Sequence, residues 1–100
     1  MKYMLCWKLS PEHQKSAAEA FLKSGAPMPE GLTCIGRWHM PGSSRGWLVV
    51  EADDIAPLAE HAVEWGRYLE CEITPVIEDQ VAGQAMARVY GGEAGSAPGS

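Results

Sequence analysis

Long apolar runs are missing from this sequence, positive charge is scarce and cysteines number only three, and each shortage removes a class of protein. No stretch approaches the roughly 20 apolar residues that cross a bilayer as a helix. The opening MKYMLCWKLSPEH turns polar too soon for a secretory signal. A soluble chain with no membrane partner is expected. Eight basic residues against 13 acidic leave a net charge of -5, a field that repels a phosphate backbone, so nucleic acid is not an expected partner either. Cys6, Cys34 and Cys71 are odd in number, far apart and each set in an apolar run. They suggest neither a disulfide framework nor a CxxC metal or redox site, and a reducing cytoplasm is the expected location. There is also no Gly-rich phosphate loop, no serine nucleophile elbow and no metal-ligand spacing, so no cofactor and no metal is expected.

What remains is enough for one core. A chain of 100 residues buries roughly two-thirds of its unfolded surface and needs no staples. KYMLCWKL (2–9) reads as a buried strand. Ser10-Pro11-Glu12 then opens a helix to about Lys23 with an Ala17, Ala20, Phe21 stripe, and Gly25, Pro27 and Pro29 stop it. LTCIGRWHM (32–40) and GWLVVE (46–51), joined by Pro41-Gly42-Ser43-Ser44, read as a hairpin. Asp53 or Asp54 caps a second helix whose stripe is read as Ile55, Leu58, Ala59, Ala62 and Gly66, with Trp65 on its flank. YLECEITPVI (68–77) alternates as a fourth strand, with Leu69, Cys71 and Ile73 on one face and Glu70, Glu72 and Thr74 on the other. Asp79 starts a final helix with Val81, Ala82, Ala85, Met86 and Val89 as its apolar side. GGEAGSAPGS (91–100) has nothing to bury and is expected to be a disordered Gly/Ser/Ala tail or an expression remnant after a single domain at 1–90.

The order βαββαβ plus a terminal helix is that of the ferredoxin-like α+β plan: an antiparallel sheet with both helices on one face. On simple alternation the second strand turns Leu32, Cys34 and Trp38 to the helices and leaves Ile35, Arg37 and His39 on the open face. The first strand presents apolar groups to that open face in either parity, and the third adds Trp47 and Val49. Such a patch marks an interaction surface, so a homodimer is expected, enclosing a pocket between two facing sheets that Arg37 and His39 look into.

MKYMLCWKL, the GRWHMPG strand and the stretch from Trp47 through AVEWGRYLECEITPVIEDQ resemble a small bacterial family catalogued as a domain of unknown function. The resemblance spans about residues 1 to 90. It implies a ferredoxin-like subunit of a dimeric α+β barrel, a superfamily that includes cofactor-free monooxygenases, isomerases, haem-degrading enzymes and proteins with no assigned activity.

The residues give three expectations. The first is a dimeric domain binding a small planar or anionic molecule, with Arg37, Trp7, Trp47, Trp65 and Glu72 as ligand contacts. Arg37 suits a carboxylate or enolate oxygen because its planar fork donates two parallel bonds; its structural alternative is a pair with Glu70 or Glu72 across the dimer. The second is a cofactor-free monooxygenase or isomerase in which His39 acts as catalytic base on a phenol or enol and Arg37 stabilises the anion. The third, haem binding, rests on likeness to the haem-degrading relatives, in which a histidine on the second helix, the helix that carries His61 here, ligates iron. They also carry an asparagine on the first strand, which KYMLCWKL lacks, and His61 is read as solvated helix surface, like His13.

Overall fold

A computed structural model describes residues 1–91. The elements run β1 (Lys2–Lys8), α1 (Pro11–Ser24), β2 (Thr33–His39), β3 (Arg45–Glu51), α2 (Ala56–Trp65), β4 (Glu70–Val76) and α3 (Asp79–Tyr90). The four strands form one sheet in the order β2-β3-β1-β4, antiparallel throughout. This is the expected ferredoxin-like α+β arrangement. The tail expected at 91–100 lies outside the described residues except for Gly91.

Local chemistry sets most boundaries. Pro11 enters α1 at its first turn, and Gly25, in the left-handed region at φ 72°, closes it by donating its N–H to the Phe21 carbonyl at 2.7 Å. Ser10 stands at the N-cap position, but its hydroxyl meets His13 Nδ1 at 3.1 Å instead of capping the backbone. In the hairpin turn Pro41 precedes Gly42, whose φ of 98° only glycine adopts freely. Ser43 N–H closes the turn onto the Met40 carbonyl at 2.7 Å, the type II pattern. Asp54 accepts from the Ala56 N–H at 3.0 Å and starts α2.

The sheet sorts its faces by parity. Tyr3 and Leu5 of β1 and Leu48 and Val50 of β3 are buried together with Leu32, Ala52 and Leu58, and Cys71 and Ile73 of β4 pack beside them as expected. This settles β1: odd residues face the helices, and Met4 and Cys6 face out with Trp47 and Val49.

β2 departs from simple alternation. Cys34 opposes Val50 and Gly36 opposes Val49, so two steps on β2 match one on β3 and Ile35 is the extra residue of a bulge. Directly opposed residues share a face. Beyond the bulge, Arg37 opposes Leu48 and His39 opposes Gly46, so both turn to the helix side. Trp38 opposes Trp47 and lies on the open face, 55% exposed. The expected assignment of Arg37 and His39 to the open face and of Trp38 to the core is thus reversed, because one inserted residue shifts the period-2 pattern by one.

α3 forms where expected, but none of its residues is buried, and Val81, Met86, Val89 and Tyr90 are exposed. At its start Lys2 and Glu78 form an ion pair.

Gly46 is the tightest approach in the sheet: a Cβ there would fall inside the Trp7 indole, which lies across β3 at this point. Gly46→Ala is expected to destabilise the fold by roughly 1 to 3 kcal/mol, the usual cost of overpacking. Denaturant melts of the two proteins check it, with the change appearing in near-ultraviolet tryptophan signals.

Candidate functional site

The layer between sheet and helices is solid at one end and hollow at the other. Around Tyr3, Val50 and Leu58 it is closed core. Toward the hairpin turn it opens into a cavity of about 410 Å³, with Leu5, Trp7, Leu48 and Cys71 from the sheet, Phe21 from α1, and His61 and Trp65 from α2 among its walls. The small residues Ala17, Ala18 and Ala62 on the facing helices leave the space unfilled.

Gly46 lets the Trp7 ring cross β3 and reach His39, with centroids 5.4 Å apart and planes at 74°. Phe21 meets the same imidazole at 5.3 Å from the helix side. His39 is itself exposed, so it stands at the cavity's rim.

Arg37 is half-buried and its charge is already placed. Nη1 donates to the Ala26 carbonyl at 2.8 Å and Nη2 to the Gly25 carbonyl at 3.2 Å. The guanidinium lies 5.2 Å from the centre of the Phe21 ring. Left-handed backbone at both Gly25 and Ala26 (φ 72° and 45°) marks this tight exit from the helix. Ser24 Oγ braces the turn by accepting the Ala26 N–H at 3.0 Å and donating to the Ala20 carbonyl at 2.9 Å. A cation at the negative end of α1 is favourable in its own right. The structural partner expected for Arg37, Glu70 or Glu72, is therefore replaced by two backbone carbonyls. Glu70 instead faces Lys8 at 3.9 Å on the surface.

The structure brings Trp7, Trp65, Arg37 and His39 to one cavity inside a single chain. It does not bring Trp47 or Glu72 there: both oppose Cys6, one from each side, on the open face.

His61, too, was misplaced by sequence reasoning. Expected as solvated surface, it is 8% exposed and lines the cavity. The inward stripe of α2 is Leu58, His61, Ala62 and Trp65, at spacings of three, four and seven residues, with Leu58 and His61 buried and Ala62 and Trp65 partly so, while Ile55 and Ala59 are exposed. That spacing was the available signal; counting only apolar residues hid it. Burial pushes the His61 imidazole below its ordinary range. Glu64 opposes the shift and the positive charge of Arg37 reinforces it. Burial also pushes the Cys71 thiol up, which keeps it protonated. All three cysteines are free. Among the described residues, no group of three or more His, Cys, Asp and Glu side chains is gathered as a metal set.

A family model described as "Domain of unknown function (DUF3303)" matches residues 1–90. The chain belongs to this family. No curated protein matches this DUF3303 domain. Among solved structures it is similar to a protein from Deinococcus radiodurans described as a candidate antibiotic biosynthesis monooxygenase, with 9% identity and a TM-score of 0.47 over 78% of this chain and 94% of that one. At that score and identity the likeness carries no inference about chemistry.

The His61 shift gives this domain a pH dependence of definite sign. The unfolded imidazole takes its proton near pH 6.5, whereas the folded one holds out to lower pH, so between those values the unfolded state binds more protons. Stability should therefore fall on acidification from about pH 6.5 down to the folded value and gain nothing from His61 above it. Urea melts from pH 7.5 to 5 should show a shallower decline in His61→Phe than in the unmodified chain.

Proposed function

We propose that this chain is a small-molecule-binding domain that admits a planar, anionic ligand into the cavity between its sheet and helices. The observation that carries the reading is the cavity itself. Its size and largely apolar, aromatic walls with a few polar groups are those of ligand sites. Arg37 spends two of its five donors on backbone carbonyls that fix its plane, which leaves three N–H groups for an anion without further ordering cost. Trp7 and Trp65 offer ring faces for stacking.

A second reading is favoured by the common face of Arg37 and His39. In a cofactor-free monooxygenase or isomerase, His39 at the rim would take a proton from a phenol or enol whose anion Arg37 steadies. Haem, the more distant reading, still lacks a first-strand asparagine, although His61 is not the surface residue first expected.

The proposal includes a homodimer formed through the open sheet face, where Met4, Cys6, Ile35, Trp38, Trp47 and Val49 form an apolar patch with Ile35 and Trp38 more than half exposed. It also includes a reducing, cytoplasmic setting, supported by three free thiols. Among the described residues no helix is long and apolar enough to cross a membrane.

2-Naphthoate is a suitable probe. It should quench the Trp7 and Trp65 fluorescence saturably, neutral naphthalene should bind more weakly, and Arg37→Met should remove the difference while lowering stability by about 1 to 3 kcal/mol through loss of its carbonyl bonds. Absence of saturable quenching up to the solubility limit would end the binding reading. Hemin serves as a control, since a Soret shift lost in His61→Phe would replace this reading with haem. Sedimentation at micromolar concentration should show a dimer.

A further inference from the structure

Of the two imidazoles at the cavity, His39 at the rim keeps access to water, while His61 on the floor side is 8% exposed. A ring so placed normally has a partner, because an imidazole prefers water to apolar surroundings unless it is hydrogen-bonded. Among the described residues the one histidine ring that meets a hydrogen-bonding side chain is His13, which meets Ser10; His61 has no such partner. Nor is it sealed in: no polar side-chain atom among the described residues is both fully enclosed and without a partner. The nitrogens of His61 therefore keep some access to solvent, and the residue lines the cavity. An imidazole held without a hydrogen-bonding partner beside a cavity that Leu5, Leu48, Ala62 and Trp65 also line gains no polar interaction in the empty fold and loses hydration.

We propose that His61 is a specificity residue that pairs with a hydroxyl of the ligand, so that the cavity selects aromatic compounds carrying both an acidic group for Arg37 and a hydroxyl for His61. The inference rests on the binding reading above and narrows its substrate class to hydroxyaryl acids. The two residues are complementary in kind. Arg37 can only donate, so it reads an acceptor or anion. Burial, reinforced by the positive charge of Arg37, favours the neutral His61 ring, which unlike Arg37 has an acceptor nitrogen beside its one N–H and so can accept from a hydroxyl. They reach the cavity from opposite layers, Arg37 from the sheet and His61 from α2, so one flat molecule between the layers can present its two substituents to both. A hydroxyl-lacking analogue would leave His61 unpaired, which is where discrimination by buried polar groups arises.

The test uses 6-hydroxy-2-naphthoate and 2-naphthoate on the full chain and on His61→Phe and His61→Gln, with thermal melts of the ligand-free proteins in parallel. The hydroxylated probe should bind the unmodified chain about tenfold more tightly than 2-naphthoate. His61→Phe should abolish that preference without weakening 2-naphthoate, and His61→Gln, which keeps an acceptor, should retain part of it. Ligand-free His61→Phe should melt at pH 7 no lower than the unmodified chain. Equal weakening of both probes, or no preference to lose, would overturn the assignment. A lower melting temperature of ligand-free His61→Phe would also overturn it, by showing that the ring braces the fold. Should neither probe bind the unmodified chain, the binding reading fails with both probes. The melts then still decide whether His61 is a brace or an unpaired group.

Discussion

One extra residue in an edge strand decides what this domain can hold. The bulge at Ile35 sets β2 one position out of step with β3, so Arg37 and His39 share a face with Leu48 and Gly46 rather than with Trp47 and Val49. Without it the guanidinium would stand on the outer sheet, far from the carbonyls of Gly25 and Ala26 that now fix it. The exit of α1 would lose its clasp, and the cavity would have His61 alone as a basic group. Bulges commonly re-aim side chains near sites in this way, because a single unpaired residue suffices to turn everything after it.

The hollow depends on a division of labour between large and small residues. Tyr3, Leu5, Leu48, Val50 and Leu58 close one half of the sheet–helix layer and supply most of the burial that holds a chain of this size together. In the other half, alanines on α1 and α2 share the walls with Trp7 and Phe21, which both pack on His39, and with Trp65, which packs on Tyr68. Trp7 can lie flat only because β3 carries Gly46 beneath it. The closed core and the cavity thus occupy different ends of the same layer, and the hollow end can carry a desolvated imidazole because the closed end offsets its cost.

Outside that layer two apolar surfaces are left exposed among the described residues. The outer sheet shows Ile35 and Trp38, and α3 shows Val81, Met86, Val89 and Tyr90. Both follow from the topology: two helices suffice for one face of a four-stranded sheet, and α3 leaves the edge strand β4 beyond the ion pair of Lys2 with Glu78. The proposed dimer gives the first of these surfaces a role.

Much of this was legible in the residues alone, since element type and order follow from local chemistry. An apolar run marked β1, alternation marked β4, Pro11 and Gly25 marked the ends of α1, and Pro41-Gly42 marked the turn that pairs β2 with β3. Alternation also placed Leu69, Cys71 and Ile73 correctly, whereas Trp7, Trp65, Arg37 and His39, singled out for a pocket between two facing sheets, line a different cavity, the one between sheet and helices. The face of Arg37 was not legible, because a bulge is a property of two strands in register and GRWH carries no mark of it. Nor was His61, whose polarity argued for water while its spacing from Leu58 and Trp65 placed it inward. Trp47 and Glu72 lie on the open face, where alternation put them, but the cavity is on the other side of the sheet. The sequence by itself determined which elements form and in what order, through propensity and periodicity acting over a few residues. Only the tertiary structure decided which side of the sheet is the inside for each residue, because that depends on pairing between segments distant in the chain.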